Sequence, residues 1–259
     1  MILDGMLARR MFLPEAGYSR TPAAAGLEAE EVAFEAADGV PLYGWFLPGE
    51  GHPWLWSHGN GGNISHRLGH ASVLHAELGV PLFLYDYRGY GRSSGSPSER
   101  GTYSDARGAL RWLASRCECP TSEVIVYGQS LGSAVAVDLA MSVPVRALVV
   151  EAGFTSVSAM VRRSVFWPLF PLFSGIYDTA SKIGRVAAPL LILHGSVDET
   201  VPVAMGRELF EAASPPKTFR IVPGARHDDI FIAGGAAYVG ILRDFLDGLE
   251  TAVAAGAEG

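Results

Sequence analysis

The chain has 259 residues, of which 49% are hydrophobic and 18% are charged, and its formal net charge is −7. This length suffices for one substantial hydrophobic core. A net negative charge without a cluster of lysines or arginines argues against a general nucleic-acid partner or an anionic membrane partner. The composition is that of an ordinary soluble enzyme.

The first residues and the cysteines favour a cytoplasmic location. Residues 1–13 carry Asp4 before the end of their apolar part and two arginines after it, the reverse of the order in a secretory signal peptide. Cys117 and Cys119 are too close in sequence to bridge each other without strain, so we expect two reduced thiols. The apolar stretch at residues 165–176 contains two prolines and is too short to cross a bilayer, so no integral membrane segment is predicted.

The predicted elements begin with a β-hairpin. Residues 31–46 alternate in polarity around Asp38-Gly39, a pair typical of hairpin turns. Short apolar runs typical of strands buried on both faces follow at residues 53–57, 80–85, 123–127, 145–150, 189–193 and 218–222. Helical segments are predicted at residues 65–78, 103–117, 131–141, 203–213 and 230–249.

This alternation predicts an α/β fold with a mostly parallel, doubly wound sheet of about eight strands. We expect a single domain over residues 31–250, with residues 1–30 packed on it as an N-terminal extension. Residues 154–185 are expected to form at most a small cap, and residues 251–259 a disordered tail. Ligands of such sheets bind at the carboxyl ends of the strands, where Gly-rich polar segments follow the predicted strands here.

Ser130 lies between a predicted strand and a predicted helix, at the apex of a G-x-S-x-G pattern. Gly128 and Gly132 would allow the close approach of strand and helix that a nucleophile in a strained turn requires. Residues 91–95 give a second match, around Ser93, but turn residues surround it and no helix follows directly. We therefore expect Ser130, and not Ser93, to be a nucleophile.

A serine nucleophile needs a histidine to accept its proton. Only His194 and His227 follow Ser130 in the chain. His194 ends a predicted strand, where its ring would pack beneath the site, whereas His227 lies in a Gly-containing loop after the last strand. The chain order serine, acid, histidine of such sites favours His227 as the base.

The acid that orients the histidine is expected to be Asp198, in the loop after the strand at residues 189–193. Glu199, Asp228 and Asp229 are the alternatives. The last two adjoin the base, but they also begin a predicted helix, where acidic residues are favoured by the helix dipole alone.

Attack on a carbonyl carbon creates an oxyanion that needs two backbone donors. The Leu131 N–H, at the start of the helix after Ser130, is one candidate. The second is expected from the Gly-rich loop at residues 58–63, with the Asn60 N–H as our choice and Gly61 as the alternative. Asn63 is expected to cap the following helix in either case.

Five segments in chain order carry a resemblance to a known family. They are HGNGGN at 58–63, DYRGYGRS at 86–93, GQSLG at 128–132, HGSVD at 194–198 and GARH at 224–227. Over residues 31–249 the chain resembles α/β-hydrolases, most of all their BEM46-like and ABHD13/ABHD17-like branch. The resemblance implies the α/β-hydrolase fold and a serine hydrolase of carboxylic esters or thioesters, with Ser130, Asp198 and His227 as the catalytic triad.

Aromatic side chains concentrate in the region of the expected cap. Phe154, Phe166, Trp167 and Phe170 are candidates for a substrate-binding wall that suits an acyl chain, and a helix pair packed on the core would explain the same pattern.

No metal or cofactor site is predicted. His66 and His70 have the spacing of a helical metal pair, but no glutamate or third ligand accompanies them, so we expect a solvated helix face. The Gly-rich loop at residues 59–64 lacks the final glycine of a dinucleotide-binding pattern.

The expected substrate is a small or lipid-like acyl ester or thioester. An amidase, a peptidase or an acyltransferase would use the same triad, and a binding protein without catalysis is the alternative from a different class. The sequence leaves the oligomeric state open.

Overall fold

The computed structural model of the protein describes residues 11–164 and 166–257, without the side chains of Trp167, Phe170 and residues 252–257. Within these residues the strands are β1 (Leu13–Pro14), β2 (Glu30–Glu35), β3 (Pro41–Leu47), β4 (Trp54–Ser57), β5 (Gly61–Gly62), β6 (Leu82–Asp86), β7 (Ile125–Gln129), β8 (Ala147–Glu151), β9 (Leu190–Gly195) and β10 (Lys217–Val222). All but β1 and β5 form one eight-stranded sheet in the order β10-β9-β8-β7-β4-β6-β3-β2.

The sheet is parallel except for β3, which runs antiparallel to β2 and to β6. Every residue of β4, β6, β7, β8 and β9 is buried, because helices cover both faces of the sheet. The edge strand β2 instead shows exposed and buried positions in near alternation. The predicted fold class, including the hairpin that opens it, is confirmed.

The α-helices in the described residues are α1 (Leu68–Leu78), α2 (Glu99–Arg116), α3 (Leu131–Ser142), α4 (Val157–Arg162), α5 (Ala180–Ile183), α6 (Val203–Ala212) and α7 (Ile230–Ala257). Short 3₁₀ helices occur at Ala23–Ala25, Ile64–Arg67, Thr121–Glu123 and Trp167–Phe173. The helices pack into two hydrophobic core clusters. Leu110 of α2 and Leu139 of α3 belong to the first cluster, and Leu74 of α1 and Tyr238 of α7 belong to the second. The sheet is therefore wound on both faces.

Two helix boundaries differ from the sequence prediction by four or more residues. Helix α2 begins at Glu99, because Ser98 caps it by accepting a hydrogen bond from the Gly101 N–H at 3.1 Å. Helix α7 continues through Ala257 over an alanine-rich stretch of high helix propensity. It replaces the predicted disordered tail of residues 251–259 as far as Ala257, and residues 258 and 259 lie outside the described residues.

The N-terminal segment contacts the loop that follows β4. Strand β1 pairs in parallel with β5, with Leu13 opposite Gly61, and Phe12 is buried in the core. The sequence pattern did not predict this two-residue pairing, which also brings the chain beside the proposed oxyanion loop. Between β8 and β9 lie α4, the 3₁₀ helix at Trp167–Phe173 and α5. Among the described residues, no helix is both long and apolar enough to cross a membrane.

Candidate active site

Ser130 occupies the turn between β7 and α3 in a strained backbone conformation, with φ 52° and ψ −117°. Three hydrogen bonds hold the turn. The Ser130 N–H donates to the Glu151 carbonyl at 2.9 Å, and the Ser130 carbonyl accepts from the Ser133 N–H at 2.9 Å and from Ser133 Oγ at 2.6 Å. A side chain in such a turn is presented at the carboxyl edge of the sheet.

The two glycines beside Ser130 are required by close packing. A Cβ on Gly132 would lie 1.9 Å from the Ser57 carbonyl oxygen, and one on Gly128 would lie 2.4 Å from the Gly132 carbonyl oxygen. Both distances are impossible for real atoms, so strand and helix meet closely only with glycine here.

His227 and Asp198 lie beside the serine on the loops after β10 and β9. His227 Nε2 lies 2.9 Å from Ser130 Oγ, and His227 Nδ1 lies 2.8 Å from Asp198 Oδ2. A carboxylate only accepts hydrogen bonds, so Nδ1 donates to Asp198 and Nε2 is left to accept the serine proton. Asp198 Oδ1 accepts from the N–H groups of Thr200 and Val201 at 2.9 and 2.8 Å, which fixes the carboxylate.

The electrostatics of the pair favour a charged aspartate and a basic histidine. Burial disfavours the charged form of Asp198, but hydrogen bonds from His194, His227 and the backbone outweigh it and hold the pKa of Asp198 well below its usual range. Burial likewise opposes protonation of His227, but its bond to Asp198 and the negative charges of Asp198, Asp228 and Glu151 raise the pKa of His227 above its ordinary value.

The competing residues have other roles. His194 is buried, and its Nε2 lies 2.8 Å from the Val201 carbonyl and 3.4 Å from Asp198 Oδ2, so it supports the acid from below. Asp229 Oδ1 accepts from the Arg226 N–H at 2.6 Å. Among the hydrogen bonds of the described residues, the His227 imidazole contacts Asp198 and not Glu199, Asp228 or Asp229.

The Gly-rich loop lies directly beside Ser130. A Cβ on Gly59 would lie 3.5 Å from Ser130 Cβ. The Asn60 side chain is tied on both sides: its Nδ2 donates to the Met11 carbonyl at 2.8 Å, and its Oδ1 accepts from Tyr90 OH at 2.9 Å. Within residues 11–164 and 166–257, neither the Asn60 N–H nor the Leu131 N–H donates a hydrogen bond. Both amides therefore remain available to an acceptor.

Three further residues fix this loop. Arg67 Nη2 donates to the Gly61 carbonyl at 2.7 Å. Asn63 caps the 3₁₀ helix that follows, as expected, by accepting from the Ser65 N–H at 3.0 Å. Asp86 lies behind the loop and accepts from the Ile64 N–H at 2.9 Å.

The four aromatic candidates do not share one environment. Phe154 is buried in the core, whereas the Phe166 side chain is 64% exposed. The side chains of Trp167 and Phe170 lie outside the described residues. A surface cavity of about 210 Å³ touches His227, and its other lining residues are polar: Glu199, Thr200, Arg226, Asp228 and Asp229. A substrate-binding role of the aromatic segment therefore stays a prediction.

His70 does not lie on a solvated helix face. It is 3% exposed, its ring stacks on Phe231 at 4.3 Å between centroids, and its Nε2 lies 2.7 Å from Tyr238 OH. The expectation was wrong because α7 covers this side of α1. His70 thus belongs to a buried polar cluster around Glu151, which the sequence analysis missed. An acid ending a wholly apolar strand was the available signal.

A parallel sheet whose strand-to-helix turn presents a serine, hydrogen-bonded to a histidine and through it to an aspartate, is the architecture of α/β-hydrolases. Comparison with known proteins agrees. The model of the alpha/beta hydrolase family matches residues 44–180. An uncharacterized protein of Mycobacterium tuberculosis, Rv2307c, is 37% identical and the match covers 98% of this chain and 91% of that one.

The protein bem46 of Schizosaccharomyces pombe is 33% identical, with 87% of this chain and 79% of bem46 covered. The chain therefore belongs to the alpha/beta hydrolase family, and its resemblance to the BEM46-like branch is confirmed. The esterase Pf2001 of Pyrococcus furiosus has the same fold, with a TM-score of 0.77 at 19% identity over 92% of this chain and 97% of that one.

Proposed function

We propose that the protein is a serine hydrolase that cleaves carboxylic esters or thioesters through an acyl-enzyme intermediate. The observation that carries the proposal is the hydrogen-bonded series from Ser130 Oγ through the His227 imidazole to Asp198, with the serine in a strained turn. A histidine and a carboxylate in this order convert a weakly nucleophilic hydroxyl into a reactive one.

In the proposed reaction Ser130 Oγ attacks the acyl carbon while His227 Nε2 takes the hydroxyl proton. Asp198 holds the imidazole in the required tautomer and stabilises its charged form. The oxyanion of the tetrahedral intermediate accepts hydrogen bonds from the Asn60 and Leu131 N–H groups. His227 then returns the proton to the departing alcohol or thiol. In the second half of the reaction water attacks the acyl-enzyme, His227 takes a proton from the water, and it returns that proton to Ser130 Oγ.

An amidase or peptidase would differ in protonating an amine leaving group, and an acyltransferase in the acceptor that attacks the acyl-enzyme. Esters and thioesters are proposed because the solved structure with the same fold, Pf2001, is called an esterase. A small or lipid-like acyl substrate and a cytoplasmic location remain predictions from the sequence.

The test is a panel of p-nitrophenyl esters and acyl-coenzyme A thioesters graded by acyl length, assayed with the wild-type protein and Ser130→Ala. We expect hydrolysis by the wild type and loss of turnover in the variant. Aminoacyl amides and added alcohols or amines extend the panel to the alternatives. Turnover of amides alone, or equal turnover by Ser130→Ala, would contradict the proposal.

A further inference from the structure

A buried carboxyl group, that of Glu151, lies on the strand next to β7, with Glu151 opposite Gln129. Glu151 ends β8 and is 1% exposed. Its Oε2 accepts from Tyr127 OH at 2.5 Å and from Tyr238 OH at 3.1 Å, and its Oε1 accepts from Gln129 Nε2 at 3.1 Å. Burying a carboxyl group costs free energy unless hydrogen bonds satisfy it, and three donors satisfy this one. An apolar side chain would fill the same space without that cost.

These contacts join the two segments that present Ser130 and His227. Tyr127 and Gln129 belong to β7, which leads directly into Ser130. Tyr238 belongs to α7, which begins three residues after His227 and is kinked at Gly235, where φ is 47° and ψ is −129°, before it reaches Tyr238. The Glu151 carbonyl also accepts the Ser130 N–H, so one residue contacts the serine turn with its main chain and the histidine's helix with its side chain.

The titratable groups around Glu151 come from several elements. His70 of α1 approaches with Nδ1 4.0 Å from Glu151 Oε1, but burial lowers the pKa of His70 to about 3, so this ring is neutral. The positive charge of Arg67 and the charged form of His227 both interact electrostatically with Glu151. Burial raises the pKa of Glu151 to about 7, while its hydrogen-bond donors oppose this shift.

We propose that Glu151 is a positioning residue for the Ser130–His227 pair: its side chain holds the end of β7 against α7, and its negative charge favours the charged form of His227. His227 becomes positively charged when it accepts the serine proton, so a nearby carboxylate stabilises that state beyond what Asp198 provides. The inference rests on the proposed function, because it assigns Glu151 a part in the same reaction.

Glu151→Gln removes the charge and keeps the size of the side chain. Loss of a negative charge near His227 disfavours the imidazolium and lowers the pKa of His227. The pKa of Glu151 is itself raised to about 7, so its charge acts fully only above that pH, and the acid limb of the kcat/KM profile should move to lower pH by up to about 0.5 unit. We expect kcat above pH 7 to fall about tenfold with KM within about twofold.

Tyr238→Phe is the matched control, because it removes one donor and keeps the carboxyl group. Because the Tyr238 hydroxyl group lowers the pKa of Glu151, its loss should move the acid limb in the same direction as Glu151→Gln but by less. The rate of labelling of Ser130 by a fluorophosphonate, measured against pH, gives a second readout of the His227 pKa without substrate turnover.

A lowered melting temperature of Glu151→Gln with an unchanged acid limb and unchanged kcat would overturn the inference and leave the proposed function intact. Absence of Ser130-dependent turnover in the wild type would instead overturn the proposed function. If Glu151→Gln does not fold, Glu151→Asp replaces it: this variant keeps the charge on a shorter side chain, so kcat should fall while the acid limb stays, and an unchanged kcat would overturn the inference.

Discussion

Two turns of this chain share the pattern G-x-S-x-G, but their serine hydroxyls have different partners. Ser93 Oγ donates to the Asp86 carbonyl at 2.8 Å and accepts from the Tyr43 N–H at 2.9 Å. Ser130 Oγ lies instead 2.9 Å from His227 Nε2. The first hydroxyl ties a loop to the sheet, and the second faces a proton acceptor.

The two turns also differ in which residue has a positive φ. In the first, the glycines have positive φ, 53° at Gly91 and 85° at Gly95. In the second, the serine itself has φ 52°, which is rare for a residue with a side chain. A serine held in strain beside a base is the arrangement that a nucleophile requires, whereas strain carried by glycine belongs to an ordinary turn.

The largest expected effect is the loss of activity in Ser130→Ala. Removing the nucleophile should lower kcat for any hydrolysed ester at least about 10³-fold, because binding and the oxyanion donors alone retain little catalysis. Steady-state kinetics measure this, and circular dichroism should show an unchanged fold. A residual rate within tenfold of the wild type would show that Ser130 is not the nucleophile, and the two turns would then not differ in function.

Asp198→Asn tests the partner that only Ser130 has. The amide cannot stabilise the imidazolium and favours the wrong tautomer of His227, so kcat should fall about 10³- to 10⁴-fold. Thermal unfolding should show a protein that still folds. Retained activity would transfer the orienting role to Glu199 or Asp228, which can be replaced in turn.

Gly132→Ala tests the close packing that distinguishes the Ser130 turn. Its Cβ would overlap the Ser57 carbonyl, so the free energy of unfolding should fall by about 2 kcal/mol or more. Gly248→Ala in α7 is the control, because nothing lies within 4 Å of its added Cβ. Alanine has the higher helix propensity, so the free energy of unfolding should rise by about 0.5–1 kcal/mol. Equal stabilities of the two variants in urea titrations would show that the packing argument fails.

The smallest expected effect on activity is that of Ser93→Ala. The partly buried Tyr43 N–H and the buried Asp86 carbonyl lose their partner, so the free energy of unfolding should fall by about 1–3 kcal/mol. The kcat/KM value should stay within about threefold of the wild type. A loss of activity comparable to that of Ser130→Ala would show that the turn around Ser130 was wrongly chosen as the catalytic one.

The sequence predicted the features that depend on local pattern. Buried strands read as apolar runs, and each ends in polar residues, so the edge that carries Ser130, Asp198 and His227 could be inferred. The structure brings these three side chains together, and their catalytic role stays a prediction. Contacts between distant segments were not predictable: the pairing of Leu13 with Gly61, and the burial of His70 by α7, depend on packing with no local signal.

The end of helix α7 and the partners of Glu151 show a second limit of prediction from the sequence. Helix α7 extends to Ala257 because alanine propensity favours it, where a disordered tail was predicted for residues 251–259. Glu151 directly follows the predicted strand at residues 145–150, but its donors come from β7 and α7, up to 87 residues away in the chain. Periodicity carries no information about such partners.

The most direct test of the central claim is to label the protein with a fluorophosphonate and to locate the adduct by mass spectrometry. The account predicts one adduct per chain, on Ser130, with labelling lost in Ser130→Ala and retained in Ser93→Ala. An adduct on Ser93, or equal labelling of Ser130→Ala and the wild type, would contradict it.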